Sequence, residues 1–409
     1  MAKEYKDLVI GLDIGTSKVM VAVAEITASG ALQLAGIGFA PTLGMKRGVV
    51  VNIDATVQSI SQALREAELM ADCKISRVYT GITGSHIRGI NSKGMVAVKD
   101  KEVTPLDVAR VMETARAINI PSDQRLLLVE AQEFIIDGQD VREPIGMSGI
   151  RLEANIHIVT GAQSAAENII KCVRRCGLEV EHLMLNPIAS SLATLSDDER
   201  ELGVAMVDIG AGTTDVTIYT GGALRHTAVI PIAGELITSD IAMALRTPTK
   251  DAEDIKLESG YAKQLLADPN AQVEVPGLGD RGPRMLSRQA LAGVIEPRVE
   301  EIYTLVQQAI RDSGYGEVLS SGIVLTGGSC VMPGMVELGE DIFLKPVRRA
   351  VPRYNNMLSD IVSQERASTV MGLLEEARRA RARGVRASQQ TGTARNLYGR
   401  FKDFFVSNF

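Results

Sequence analysis

Aromatic side chains make up only 4% of the 409 residues and tryptophan is missing, which gives weight to the fact that four of the seven phenylalanines fall in the last nine positions. Cysteine is sparse too. Cys73, Cys172, Cys176 and Cys330 form no Cys-x-x-Cys pair and the four histidines, His86, His157, His182 and His226, are scattered, so the spacing offers no zinc site. The thiols read as small apolar fillers in a reducing cytoplasm. No apolar run is long enough for a signal peptide or a membrane span, and we expect a protein made and kept in the cytoplasm. The first 370 residues hold no long basic block and the formal net charge is -6, which argues against nucleic acid as a partner.

What is present suits two large domains. At 45% hydrophobic and 23% charged, each half of the chain can bury its own core, and the 38 glycines allow many tight turns or close approaches to a ligand. An apolar run over 8–12 ends at Asp13-Ile14-Gly15-Thr16-Ser17-Lys18, and a second run, Val19 to Ala24, follows at once, which predicts a hairpin with a glycine turn. The same plan returns nearly 200 residues later: Leu202 to Val207, then Asp208-Ile209-Gly210-Ala211-Gly212-Thr213-Thr214-Asp215, then a strand from Val216 to Tyr219. This repetition predicts a duplicated domain, with the second turn two residues longer than the first.

Between and after the copies the texture changes. A helix over 54–71 is expected with Asp54 as its cap, then a small α/β insert over 85–161 whose helix opens at Thr104-Pro105-Leu106-Asp107 and whose closing strand, 151–160, has one wet face. A helix capped at Ser164 follows. The second insert, 231–301, carries helical pieces near 239–245 and 251–266 and a Pro/Gly-rich loop over 276–283; a helix over 299–310 and a strand over 321–325 lead into Thr326-Gly327-Gly328-Ser329. The expected division is a first core of 1–84 and 162–197, rejoined by 365–376, and a second core of 198–230 and 302–364. From 377 to 394 the arginine-rich, then polar composition reads as a flexible basic linker, before a last segment over 395–409.

A phosphate-binding turn needs backbone N–H groups aimed at the anion, and glycine permits both the torsions and the approach. Gly15, Gly210 and Gly212 fit that need; Thr16, Ser17, Thr213 and Thr214 add hydroxyls, Lys18 adds a positive charge, and Asp13 and Asp208 can hold the water shell of Mg²⁺. One Asp-Ile-Gly turn alone makes an ordinary hairpin. Two copies with Gly327, Gly328 and Ser329 as a third wall make a nucleotide clamp the better reading. In the second insert Gly234, Glu253 and Lys256 complete the expected set. The last two lie three apart on one helix face, placed to grip a ribose or to form a plain solvated ion pair.

These motifs resemble those of the actin superfamily: Asp13 to Lys18 its first phosphate turn, Asp208 to Asp215 its second, Val324 to Ser329 its adenosine motif. Within it the chain is similar to the FtsA family of bacterial cell-division proteins, through Glu68-Leu69-Met70-Ala71-Asp72-Cys73, Asp197 to Val204 and Tyr219 to Thr227. The resemblance implies an α/β, actin-like two-domain ATPase fold holding ATP and Mg²⁺ between the domains. The 85–161 insert then stands as a displaced subdomain, away from where actin carries its own. It further implies filaments of the chain with itself, recruitment of later division proteins through the 85–161 subdomain, and docking of the acidic C-terminal peptide of FtsZ on the second insert. Arg284 and Arg298 match family positions tied to that contact; read from the residues alone they are equally exposed arginines beside a loop and a helix.

On a helical wheel Leu397, Tyr398, Phe401, Phe404, Phe405 and Phe409 share one stripe, while Arg395, Arg400, Lys402 and Asp403 lie mostly away from it. The segment is too short to span a bilayer and strongly one-sided, so it is expected to lie in the interface of an anionic inner membrane, at the septum. Docking of this stripe on the protein's own body is the alternative. The function expected is thus an ATP-binding, polymerising adaptor that ties the FtsZ ring to the membrane. A pilus-assembly actin homologue and a small-molecule kinase are the rivals. No residue stands out as a water-activating base, so the catalytic residues are unassigned and the chain is at most a slow ATPase.

Overall fold

The computed structural model describes residues 7–279, 282–354 and 362–384. The first copy of the repeat opens as an antiparallel meander, β1 (Leu8–Ile14), β2 (Lys18–Ile26) and β3 (Leu32–Pro41). The short pair β4 (Met45–Lys46) and β5 (Val49–Val50) leads to helix α1 (Ile53–Ala71), and β6 (Arg77–Ile82) joins β1 in parallel. The chain then leaves for the first insert: β7 (Arg88–Ala97), α2 (Pro105–Arg116), β8 (Gln124–Ile136), β9 (Gln139–Val141) and β10 (Arg151–Ala162) make an antiparallel sheet ordered β7-β10-β8-β9. It returns through α3 (Gln163–Arg175) to β11 (Glu179–Leu185), completing a sheet ordered β11-β6-β1-β2-β3.

Helices α4 (Asn186–Thr194) and α5 (Asp197–Leu202) lead to the second copy, again a meander, β12 (Val204–Ile209), β13 (Thr214–Thr220) and β14 (Ala223–Ile230). The second insert holds α6 (Gly234–Leu245), α7 (Thr249–Ser259) and a hairpin of β15 (Gln272–Val275) and β16 (Arg284–Ser287), followed by α8 (Arg288–Asp312). Then β17 (Ile323–Thr326), α9 (Met335–Phe343) and β18 (Val347–Arg349) finish the sheet in the order β14-β13-β12-β17-β18. Both five-stranded sheets are therefore an antiparallel meander extended by two parallel strands, so the duplication extends to the topology. The last helix, α10 (Ser368–Ala382), lays Val370, Leu373, Leu374 and Ala377 into the core of the first copy.

Several expectations need correction. The two turns have one length, not two: Ile14 pairs with Val19 and Ile209 with Thr214, so Thr214 and Asp215 already belong to a strand. Asn52 rather than Asp54 caps α1, accepting from the Ala55 amide at 3.1 Å, and α3 has no side-chain cap. Thr104 and Asp107 do form a capping box. Helix α8 begins at Arg288, capped by Ser287, and runs through Pro297. The face of β10 expected to be wet is buried at Asn155 and His157, because the insert rests on the edge strand β14: His157 Nε2 lies 3.0 Å from Thr227 Oγ1 and Gln132 donates to the Leu224 carbonyl at 2.9 Å.

The supposed linker also starts too early, since α10 continues to Ala382. Its arginines are engaged with the body: Glu375 takes Arg378 at 2.6 Å and Arg379 at 2.9 Å, Glu376 takes Arg383 at 3.1 Å, and Arg381 lies 3.7 Å from Asp7 and 3.6 Å from Glu181. Glutamates three to seven residues before arginines, over a buried Ala377, hold this stretch helical. Arg386, the rest of the linker and the stripe Leu397, Tyr398, Phe401, Phe404, Phe405 and Phe409 lie outside the described residues. Among the described residues no helix is long and apolar enough to cross a membrane.

Candidate functional site

The glycine turns of the two sheets face each other across a cleft of about 340 Å³. Each closes in the same way, the Gly15 amide donating to the Lys18 carbonyl at 2.9 Å and the Gly210 amide to the Thr213 carbonyl at 3.0 Å. They interlock closely. A Cβ on Gly212 would lie 2.4 Å from Thr16 Oγ1 and 2.9 Å from Arg47 Cα, so no larger residue fits there. At the third wall Gly327 has a φ of 90° and a Cβ on it would lie 2.3 Å from Asp208 Oδ1. Ser329 Oγ donates to the Gly210 carbonyl at 2.7 Å and so ties this wall to the second turn.

Every expected clamp residue lines the cleft except Thr214 and Gly234. The Thr214 hydroxyl donates to the Ile232 carbonyl at 2.8 Å and serves the backbone instead. Gly234 opens α6 behind the second turn, its amide donating to the Gly210 carbonyl at 3.1 Å; a Cβ there would strike Ser329 Oγ at 2.2 Å, so it shapes the wall without lining it. The pair at 253 and 256 is formed against the cleft wall rather than in open solvent: Lys256 is buried, with its ammonium 2.7 Å from Glu253, 2.9 Å from Thr238 Oγ1 and 3.2 Å from the Gly234 carbonyl.

Charge is unevenly shared. On the first turn Lys18 Nζ sits 2.9 Å from Asp13 Oδ2. On the second, Asp208 accepts the Ser190 hydroxyl at 2.6 Å, and Ser190 meets Thr369 of α10 at 3.0 Å; Thr83 Oγ1 lies 2.9 and 2.8 Å from the two oxygens of Asp215. Burial pushes the Asp208 carboxyl up to about 6, opposed by the Ser190 hydrogen bond and aided by Asp13. Burial pushes Asp215 up to about 8, with Asp208 adding to the effect. Three acidic side chains, two of them with carboxyls raised by burial, crowd one ammonium at this end of the cleft, where a divalent cation would favour their ionised forms. Among the described residues no three His, Cys, Asp or Glu side chains are grouped to hold a metal directly.

Residues 205–372 match the family described as cell division protein FtsA, and residues 84–160 that described as the SHS2 domain inserted in FtsA. The cell division protein FtsA of Pseudomonas aeruginosa is 55% identical over 368 residues, which span 90% of this chain and 88% of that protein. The chain belongs to the FtsA family. The Escherichia coli member is 42% identical over 397 residues, 95% of this chain and 94% of that one. Among solved structures, the PilM-PilN type IV pilus biogenesis complex covers 90% of this chain and 98% of its own at 18% identity and TM-score 0.63. MreB 5 of Spiroplasma citri bound to AMPPNP covers 93% and 100% at 15% identity and TM-score 0.57. These likenesses show an actin-like α/β fold, here with the inserted domain of the FtsA family. Membership of that family sets aside the pilus-assembly and kinase alternatives.

Other residues of the cleft had no local signal in the sequence. Thr83, Asn186 and the pair Glu365 and Thr369 reach it from three separate segments, and Arg366 stacks over Phe39 at 5.0 Å at its edge. Leu257, Val331, Met332 and Pro333 add an apolar patch beside Gly327 and Gly328. Asp215, by contrast, sits inside a motif, as its last residue. Of the two partner arginines, Arg284 is exposed on β16 and donates to the Leu245 carbonyl. Arg298 is held by Asp240 at 2.5 and 3.0 Å, a pair that binds α8 to α6, and also pairs with Glu301 of its own helix.

Proposed function

We propose that this FtsA-family chain binds Mg-ATP in the cleft, polymerises, docks the C-terminal peptide of FtsZ on its second insert, and ties the FtsZ ring to the cytoplasmic face of the inner membrane at the septum through residues 395–409. Later division proteins join through the 85–161 subdomain. The observation that carries the reading is the pair of interlocked glycine turns with Lys18 on one side and the buried Asp208 and Asp215 on the other. Phosphates would lie between the turns, the base against Leu257, Met332 and Gly328, and the ribose beside Glu253 and Lys256. A bound Mg²⁺ would neutralise the phosphates and the carboxylates at once.

For the FtsZ peptide, Arg284 is the freer of the two arginines and makes the sharper test. Arg284→Glu should lower peptide affinity more than tenfold, roughly 1.4 kcal/mol or more, by fluorescence anisotropy; unchanged binding would move the docking site elsewhere. Membrane attachment is tested by sedimentation with anionic vesicles, with and without ATP and the peptide. Phe404→Glu removes about 1.5 to 3 kcal/mol of apolar burial and sets a charge in the stripe, so vesicle binding should collapse while ATP and peptide binding persist within about twofold. A destabilised Phe404→Glu protein that still pelleted with vesicles would sink the anchor reading.

A further inference from the structure

Lys18, Lys256 and Arg366 are the cationic side chains among the described residues that line the nucleotide cleft, and the two lysines are spent on the protein itself. Lys18 faces Asp13 at 2.9 Å and Lys256 faces Glu253 at 2.7 Å. Arg366 differs from both. It is exposed, and among the described residues it forms no ion pair and no hydrogen bond; its guanidinium lies over the Phe39 ring, 5.0 Å from the centroid. All its N–H donors are therefore left for something else. The backbone beneath it is fixed. Arg366 sits in the short turn Glu365–Ala367 just before α10, where the Glu365 carbonyl accepts from the Gly327 amide at 3.3 Å and the Ser368 hydroxyl at 2.9 Å, and the Glu365 carboxylate lies 3.5 Å from Arg349. A Cβ on Gly328 would lie 3.7 Å from that of Arg366, so the arginine stem leaves the chain beside the glycine wall.

A guanidinium is planar and has two faces, each able to lie on an aromatic system. Phe39, brought by β3 of the first core, covers one of them. We propose that Arg366 stacks its other face on the base of the bound nucleotide, that Phe39 sets the tilt of that plane, and that the stack makes the cleft prefer purines to pyrimidines. The proposal rests on the nucleotide reading above. The base then lies between a charged plane and the apolar patch of Leu257 and Met332. Its larger face lets a purine gain more from this contact than a pyrimidine does. The competing use of the same group is a charge-assisted bond to a phosphate, which depends on charge and not on flatness.

Titrating ATP, CTP and inorganic tripolyphosphate into the full chain and its variants separates the two uses. Arg366→Ala should lower ATP affinity about tenfold and CTP affinity about threefold or less, and leave tripolyphosphate binding unchanged. Arg366→Trp keeps a flat face and drops the charge, so ATP affinity should stay within about threefold of wild type; Arg366→Lys keeps the charge and drops the plane, and should lose about as much as Arg366→Ala. Since the natural chain has no tryptophan, the emission of Arg366→Trp reports on this site alone, and ATP should quench it more than CTP does, and tripolyphosphate not at all. Phe39→Leu should cost about threefold in the wild-type chain and nothing further in Arg366→Ala, because it acts through the arginine. Binding kept by Arg366→Lys and lost by Arg366→Trp, with tripolyphosphate weakened as much as ATP, would assign the guanidinium to a phosphate and overturn the proposal. An equal loss from Phe39→Leu in both backgrounds would overturn the part given to Phe39. Full ATP affinity in Arg366→Ala would overturn the stack and leave the nucleotide reading standing, whereas a wild-type chain that bound no ATP would end both. Arg366 is exposed, so melting curves should show its variants folded, and they decide the matter even if Phe39→Leu is unstable.

Discussion

Aligned on the pairing that closes them, the two glycine turns put different chemistry at equivalent places. Asp13 corresponds to Asp208, but Lys18 stands where the second turn has Thr213, and the buried Met20 stands where the second has Asp215. The backbone frame is one frame used twice, down to the Gly15 and Gly210 hydrogen bonds, and the charges on it have diverged. One wall brings an ammonium paired with Asp13, and the other two enclosed acidic side chains, Asp208 and Asp215, whose carboxyls burial pushes up. The lesson is that duplication can keep one backbone frame while the charged side chains on it diverge, with Lys18 on the first copy and Asp215 on the second.

The comparison breaks most completely if the shared frame is spoiled. Gly212→Val would drive two methyls into Thr16 and the Arg47 backbone and should cost ATP binding at least about a hundredfold, roughly 2.7 kcal/mol, by calorimetry. Retained affinity would mean that the turns do not jointly cradle the ligand.

A smaller effect sharpens the difference between the walls. With its folded carboxyl near 8 and its unfolded one near 3.8, Asp215 keeps a proton in the native state that the unfolded chain has lost between those values. Stability without nucleotide should therefore fall as pH rises from about 4 to 8, by a few kcal/mol at most. Asp215→Asn should flatten that slope in melting curves and raise stability at pH 8, whereas Met20, its counterpart, contributes no such slope.

The least effect concerns how the first insert rests on the second copy. His157, with a ring nitrogen 2.6 Å from Asn91 Oδ1, is lowered to about 4 by burial, with His226 adding to it. The unfolded chain then takes up the proton first, so stability should be lost as pH falls from about 6.5 toward 4, by up to about 3 kcal/mol. His157→Gln, which keeps hydrogen-bonding groups and cannot titrate, should remove that acid-side loss in thermal melts.

Both turns were legible in the sequence because local rules make them: apolar strand runs on either side of an Asp-Ile-Gly. The third wall was legible for the same reason, through the Gly327 and Gly328 pair. Thr83, Asn186, Glu365 and Thr369 were not, since each is an ordinary residue carried to the cleft by tertiary packing. Asp215 lies within the second motif, but its value comes from burial beside Asp208, which a sequence does not display. The start of the linker was misread for the opposite reason: the arginines of 378–383 look solvated until Glu375 and Glu376 are counted at helical spacing, a signal that was available.

The central claim is that the cleft holds Mg-ATP with its charges divided between the two copies. Calorimetric titration of ATP, with and without Mg²⁺, into the wild-type protein, Lys18→Ala and Asp208→Asn tests it directly. Lys18→Ala should weaken binding by about 10- to 100-fold whether or not Mg²⁺ is present, a loss of about 1.5 to 3 kcal/mol. Asp208→Asn should leave metal-free binding intact or improved and abolish most of the gain that Mg²⁺ brings. Equal losses in both variants under both conditions, or wild-type affinity in either folded variant, would contradict the account.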